Sequence, residues 1–202
     1  MREPENIDEY GLFLTQKLKP WSPRQRVALA AAIAERWLPA YESFSAEKKW
    51  GDADSLRHGL EAVWGHVQGR PLADATRHIE QIEDLTPHQD KFDAPEALAA
   101  CAILTDALYA CDSNENTIPH VKRAVLGVIE GIAKAAPGDT ASQQREWQKG
   151  AVRKELEAQL GLIEKIDAVT TFNVNSVRAL RSRLGDAKVK SGPLPKPKAP
   201  PR

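Results

Sequence analysis

Five histidines and two cysteines are the side chains of this 202-residue chain best suited to metal binding, proton transfer or nucleophilic attack. His58, His66, His78, His88 and His120 fall in no HExxH pair and in no CxxC with HxxxH, the spacings that converge ligands on a zinc ion. In "PHQDKFD", His88, Asp90 and Asp93 offer one nitrogen and two oxygen donors, a set a divalent cation would accept. A polar loop produces such a triple easily, and the plain reading is a solvated loop. His58 and Glu61 are three apart in "SLRHGLEAVWGHV", with His66 five further on. At about 100° per helical residue His66 points well away from Glu61, so the three do not converge on one site.

Cys101 and Cys111 are ten apart. On an intact helix they lie about 15 Å from each other, and a disulfide needs Cα atoms within about 7 Å. Lacking a CxxC spacing, they read as small buried hydrophobes of a reducing compartment. Glu130 and Glu157 lie in apolar-rich segments but at positions that periodicity sends outward, and Ser43 and Ser45 read as surface hydroxyls. GxSxG, GxxxxGK[ST] and GxGxxG are all missing. The sequence therefore assigns no catalytic, cofactor-binding or metal-binding residue, and no cofactor is expected.

The elements that would position any site are helices. "WSPRQRVALAAAIAERWL" opens with Ser22 as N-cap, Pro23 at the first helical position and Gln25 closing a capping box. Val27, Ala30, Ala31, Ala34, Trp37 and Leu38 follow at helical spacing. Pro39 predicts a kink or break, with a short helix restarting through Tyr41 and Phe44. Gly51 and Asp52 end that piece and cap the next, where Leu56, Leu60, Val63, Trp64 and Val67 share a face until Gly69 and Pro71. Leu72, Ala75, Ile79, Ile82 and Leu85 form the next stripe.

Asp93, with Glu96 three residues later, predicts a second capping box before "APEALAACAILTDALYAC". There Leu98, Cys101, Ala102, Leu104, Leu108 and Cys111 cover enough of the helix to place it centrally. Val121, Val125, Val128 and Ile132 line the following helix. "TASQQREWQKGAVRKELEAQLGLIEKIDAV" carries the longest pattern, with Trp147, Ala151, Leu156, Leu160, Ile163 and Ile166 as its apolar thread. Asn173 or Asn175 caps "SVRALRSRLG", with Val177, Leu180 and Leu184 inward.

Alternating strand patterns are absent, so the expected fold is an all-α, single-domain bundle of about seven or eight helices over residues 1–187. Residues 188–202, rich in proline and lysine and lacking an apolar face, read as a disordered tail. Lys and Arg number 28, as do Asp and Glu, so the formal net charge is zero. That balance argues against an obligatory nucleic-acid partner. Arg178, Arg181 and Arg183 read as the solvated face of the last helix. No secretory signal and no spanning apolar stretch is visible, and the expectation is a soluble, cytoplasmic protein without a membrane partner.

"ERWLPAYESF" followed by "WGDADSLRHGLEAVW" resembles the YjaG-like family of bacterial proteins, the domain of unknown function DUF416. The family shows Glu-Arg, a proline, an aromatic pair, a Gly-Asp turn and a helix ending in Leu/Val-Trp in this order. "DAPEALAACAILTDALYA" and "REWQKGAVRKELEAQLGLIEKID" are similar to its central and long late helices. The resemblance covers about residues 8–186 and implies an all-helical, cytoplasmic bacterial protein, with no established activity or cofactor and no functional residues to carry over. The chain departs from the family in its tail and in "AEKKW" before the Gly-Asp turn.

Three functions remain open. A non-enzymatic protein-interaction module leads, with an immunity or accessory protein that neutralises a partner toxin as its sharper variant. An enzyme or small-ligand binder would use a pocket between helices near Trp37, Tyr41, His58 and Trp64. Nucleic-acid association would use the arginine helix and the tail. The spacing of Trp37, Tyr41, Phe44 and Trp64 makes these rings braces of the fold. Trp50, at the Gly-Asp corner, is the aromatic left over for a partner.

Overall fold

The computed structural model describes residues 4–113, 116–135, 147 and 150–185. These residues form α1 (Ile7–Leu18), α2 (Pro23–Lys48), α3 (Ala53–Val67), α4 (Ala75–Asp84), α5 (Pro95–Asp112), α6 (Ile118–Ala135), α7 (Ala151–Asp167) and α8 (Val174–Gly185). Among the described residues there is no strand, and the fold is an all-α bundle. No helix among them is long and apolar enough to cross a membrane. The proline- and lysine-rich tail lies outside the described residues.

Helix α2 is the hub. Its residues from Val27 to Ala34 are all buried, and it packs against α3, α5, α6, α7 and α8. A helix apolar on every side must be surrounded, and its run of alanines lets the neighbours come close. The predicted capping box starts it: the Gln25 amide donates to Ser22 Oγ at 3.3 Å, and the Ser22 amide donates to Gln25 Oε1 at 2.9 Å. Helix α5 is the other central element, as its composition predicts; Cys101 and Cys111 are both buried in it as free thiols.

The break predicted at Pro39 does not occur; α2 runs through the proline to Lys48. Proline removes one amide donor, here the one that would reach the Glu35 carbonyl, at a cost of about 3 kcal/mol. Trp37 and Leu38 before it and Tyr41 and Phe44 after it are all buried against neighbouring helices. Large apolar side chains contribute about 1.5–3 kcal/mol each on burial, enough together to hold one continuous helix. Consequently α2, at 26 residues, is the longest described helix. The longest predicted pattern is described from Ala151 on as α7, with residues 136–146 and 148–149 outside the described set.

Other boundaries also differ. Helix α5 begins at Pro95 with Ala94 as its cap and no side-chain capping bond, so the Asp93–Glu96 box does not form. Pro95 at the first helical position sets the start one residue later than Asp93 would. Leu72 lies ahead of α4, which starts at Ala75 under the cap of Asp74. Ala102 and Ala151, predicted inward, are exposed. The sequence predicts no helix over residues 7–18, yet α1 is there, capped by Asn6 Oδ1 accepting from the Glu9 amide at 2.9 Å. At the other end Asn173, not Asn175, caps α8, accepting from the amides of Asn175 and Ser176.

Candidate interaction surface

Four groups of functional side chains emerge, and in three of them charged side chains pair with one another. The deepest joins α1, α2, α6 and α7. Arg36 Nη1 and Nη2 donate to Glu155 Oε1 and Oε2, each at 2.9 Å. Gln159 Nε2 donates to Glu155 Oε1 at 3.0 Å and to the Val125 carbonyl at 3.1 Å, while Tyr10 Oη donates to Gln159 Oε1 at 2.8 Å. All four side chains are at most 5% exposed. Burial, reinforced by the Glu155 charge, pushes the Tyr10 phenol far above its ordinary value. With no route to solvent, this network serves to fix α7 against α2. Sequence periodicity gives no sign of it, because Arg36 and Glu155 look like any other charged helix residues.

The second group corrects the solvated-face reading of the arginine helix. Arg181 is half-buried: Nη1 and Nη2 donate to Glu61 at 2.9 and 2.5 Å, and Nη2 lies 2.9 Å from Glu35. Its guanidinium stands 5.6 Å from the ring centre of Trp64, whose indole N–H donates to Glu35 Oε2 at 2.9 Å. The hydrogen bond from Arg181 holds the Glu61 carboxyl below its usual range. Arg178 and Arg183 are exposed as predicted. The third group, on α5 and α6, pairs Asp106 with Arg123 at 2.8 Å and stacks Tyr109 on His120 at 5.5 Å.

The residues proposed as a ligand pocket do not form one. Trp37, Tyr41 and Trp64 are packed in the core and His58 is exposed. A cleft of about 230 Å³ opens instead between the α7–α8 connection and α8, lined by Lys165, Thr170, Thr171, Ser176 and Arg183 among others, and includes none of the four. Among the described residues no three His, Cys, Asp or Glu side chains gather to hold a metal ion, and His88, Asp90 and Asp93 form no such group.

The fourth group is aromatic. Lys49 takes a left-handed conformation (φ 50°) to end α2, and Gly51 follows at φ 77°. A side chain at Gly51 would run into the Tyr41 hydroxyl, so only glycine suits both the dihedral and the space. Asp52 then caps α3, accepting from the amides of Asp54 and Ser55. This corner holds Trp50 against Phe44 (ring centres 5.8 Å apart, edge to face) and against Phe92 of the α4–α5 connection (5.1 Å). Phe44 and Phe92 meet edge to face at 5.3 Å, and Tyr41 packs behind Phe44 at 5.9 Å. Tyr41 Oη donates to the Leu85 carbonyl at 2.8 Å; burial pushes its phenol up to about 12.

Phe44 is buried, whereas Trp50 and Phe92 are half-buried and complete the outer side of the cluster. The indole N–H groups of Trp21, Trp64 and Trp147 donate to Asp167, Glu35 and the Pro4 carbonyl. Among the described residues neither the buried Trp37 indole nor the half-buried Trp50 indole has a hydrogen-bond partner, and Trp50 keeps its ring contacts. Residues 47–54 and 83–93, which carry the corner, hold seven exposed carboxylates and three lysines.

An all-helical bundle with an aromatic Gly-Asp corner and a buried inter-helix ion pair is the class these features define. The family model "Protein of unknown function (DUF416)" matches residues 14–190, and the chain belongs to that family. The fold is similar to the 1.91 Å crystal structure of a DUF416 family protein from Shewanella baltica OS155, with a TM-score of 0.75 at 22% identity. That match covers 85% of this chain and 93% of the other. No curated protein matches.

Proposed function

We propose that this protein is a non-catalytic, cytoplasmic interaction module, with residues 1–187 as its helical domain, and that it binds a protein partner at the Trp50 corner. The observation that carries this reading is the half-buried Trp50 ring, whose indole N–H has no acceptor among the described residues. Tryptophan combines a large apolar area with one polar tip, the composition that concentrates binding energy at protein interfaces. The engagement of Arg36, Glu155, Gln159 and Arg181 within the fold also supports it, since those polar and charged groups are occupied in holding helices together.

The test is capture from the native host with the full chain as bait, beside a Trp50→Ala variant whose helical content and denaturation midpoint are checked first. A stoichiometric protein partner retained by the parent and lost by the variant is the expected result. Recovery of no such partner, or equal recovery by both baits, rejects the reading.

A further inference from the structure

We infer that the cleft at the α7–α8 connection binds a dianionic phosphate group carried by a small ester, with Lys165 and Arg183 as its counter-charges. The inference is independent of the Trp50 corner. Lys165 comes from the last turn of α7 and Arg183 from the last turn of α8, and both line the same opening of about 230 Å³. The other polar side chains of the lining are the hydroxyls of Thr170, Thr171 and Ser176. No carboxylate lines it. Glu164 and Asp167, the acids flanking Lys165 on α7, both stand outside the lining, and Asp167 is held by Lys17 and Trp21.

Charge sets this cleft apart from the rest of the surface. Lys17, Arg36, Arg57, Arg123, Arg153 and Arg181 each meet a carboxylate. Lys165 and Arg183 meet none among the described residues. Their two positive charges match the charge of a phosphate monoester, about −1.5 to −2 at neutral pH. A guanidinium fork pairs with two phosphate oxygens at once, and an ammonium adds a point charge.

The connecting loop supplies further donors and is fixed in advance. The Asn173 amide donates to Ser176 Oγ at 2.9 Å, the Ser176 amide donates to Asn173 Oδ1 at 3.0 Å, and Ser176 Oγ donates to the Thr171 carbonyl at 2.7 Å. This reciprocal cap orders the loop before any ligand arrives, which lowers the cost of binding. The amides and hydroxyls of Thr170 and Thr171 have no acceptor among the described residues. A phosphate, with three terminal oxygens, uses more donors than a carboxylate can. The volume lies below the roughly 300–1,000 Å³ of a drug-sized pocket, which suits a phosphate on a short carbon skeleton. Leu180 offers that skeleton an apolar floor.

The test is an amide NMR titration of the full chain with glycerol 3-phosphate at about 0.15 M ionic strength. The expected result is a saturable shift confined to the cleft, largest at Thr170, Thr171 and Ser176, with no response to glycerol or acetate. Lys165→Gln and Arg183→Gln should each weaken binding about tenfold. Arg178→Gln, exposed on α8 outside the lining, should leave it unchanged. Arg183 is itself exposed, so Arg183→Gln decides the matter if Lys165→Gln does not fold. No saturable shift, an equal response to acetate, or equal losses in Arg178→Gln and Arg183→Gln overturns the inference. Inorganic phosphate separates the two sources of the anion: weaker binding than the ester supports the ester, and binding as tight or tighter overturns it in favour of free phosphate.

Discussion

Arg36 and Glu155, 119 residues apart in the chain, face each other through two parallel 2.9 Å hydrogen bonds with both side chains at least 95% buried. A pair of this kind gains little over a well-packed apolar pair, but losing one partner strands the other charge in the core. Arg36→Met alone, or Glu155→Leu alone, should destabilise by about 3–5 kcal/mol. The double variant should recover much of that loss. Urea unfolding of the three variants checks this, and additive losses would show that the pair does not act as a unit.

Arg181 leads to a pH-dependent prediction. Its hydrogen bond keeps the Glu61 carboxyl below its unfolded value, so the stabilisation is present above the unfolded value, near 4.5, and disappears as pH falls through the lower folded one. Arg181→Ala should cost about 1–2 kcal/mol at neutral pH through the lost pairing and the contact with Trp64. That deficit should narrow as denaturation midpoints are measured from pH 6 down to pH 3.

Gly51 occupies a left-handed turn directly under the Tyr41 hydroxyl. Gly51→Ala should cost about 1–3 kcal/mol from the backbone alone, and should also weaken the Tyr41–Leu85 hydrogen bond. Thermal unfolding reads the loss, and an unchanged midpoint would show that the corner tolerates a rearranged turn.

The two thiols should be silent in the folded protein. Burial pushes both Cys101 and Cys111 up to about 12, and the thiolate is the reactive form. A thiol-reactive dye should label neither at pH 8 in native buffer and both in denaturant. Rapid native labelling of either would mean that α5 opens far more readily than its packing implies.

Helix identity was legible because apolar spacing reports burial, and α2 and α5 have it in full. Pro39 was not, since a local rule against proline in helices takes no account of the apolar side chains packed around it. The Asp93 box failed for a similar reason: Pro95 overrode the capping residue. The charged contacts were invisible because Arg36–Glu155 and Arg181–Glu61 join positions more than a hundred residues apart, and periodicity speaks only of faces. The Trp50 corner stands between these cases. Its turn residues show in the sequence, but Phe92, which completes the aromatic surface, arrives from a loop that composition alone marks only as polar.

Helix α1 has a consequence for how the chain is made. Tyr10 bonds to Gln159 and Lys17 to Asp167, contacts spanning 149 and 150 residues, and Pro4 receives the indole of Trp147. At typical ribosomal rates of about 5–20 residues per second, α1 waits roughly 8–30 s for these partners. Tyr10, Leu14 and Leu18, all fully covered in the finished protein, gain part of their cover earlier, when α6 brings Lys122 to Thr15 and Leu126 to Gly11. Helix α1 is thus completed only after helices well over a hundred residues further along the chain have been made.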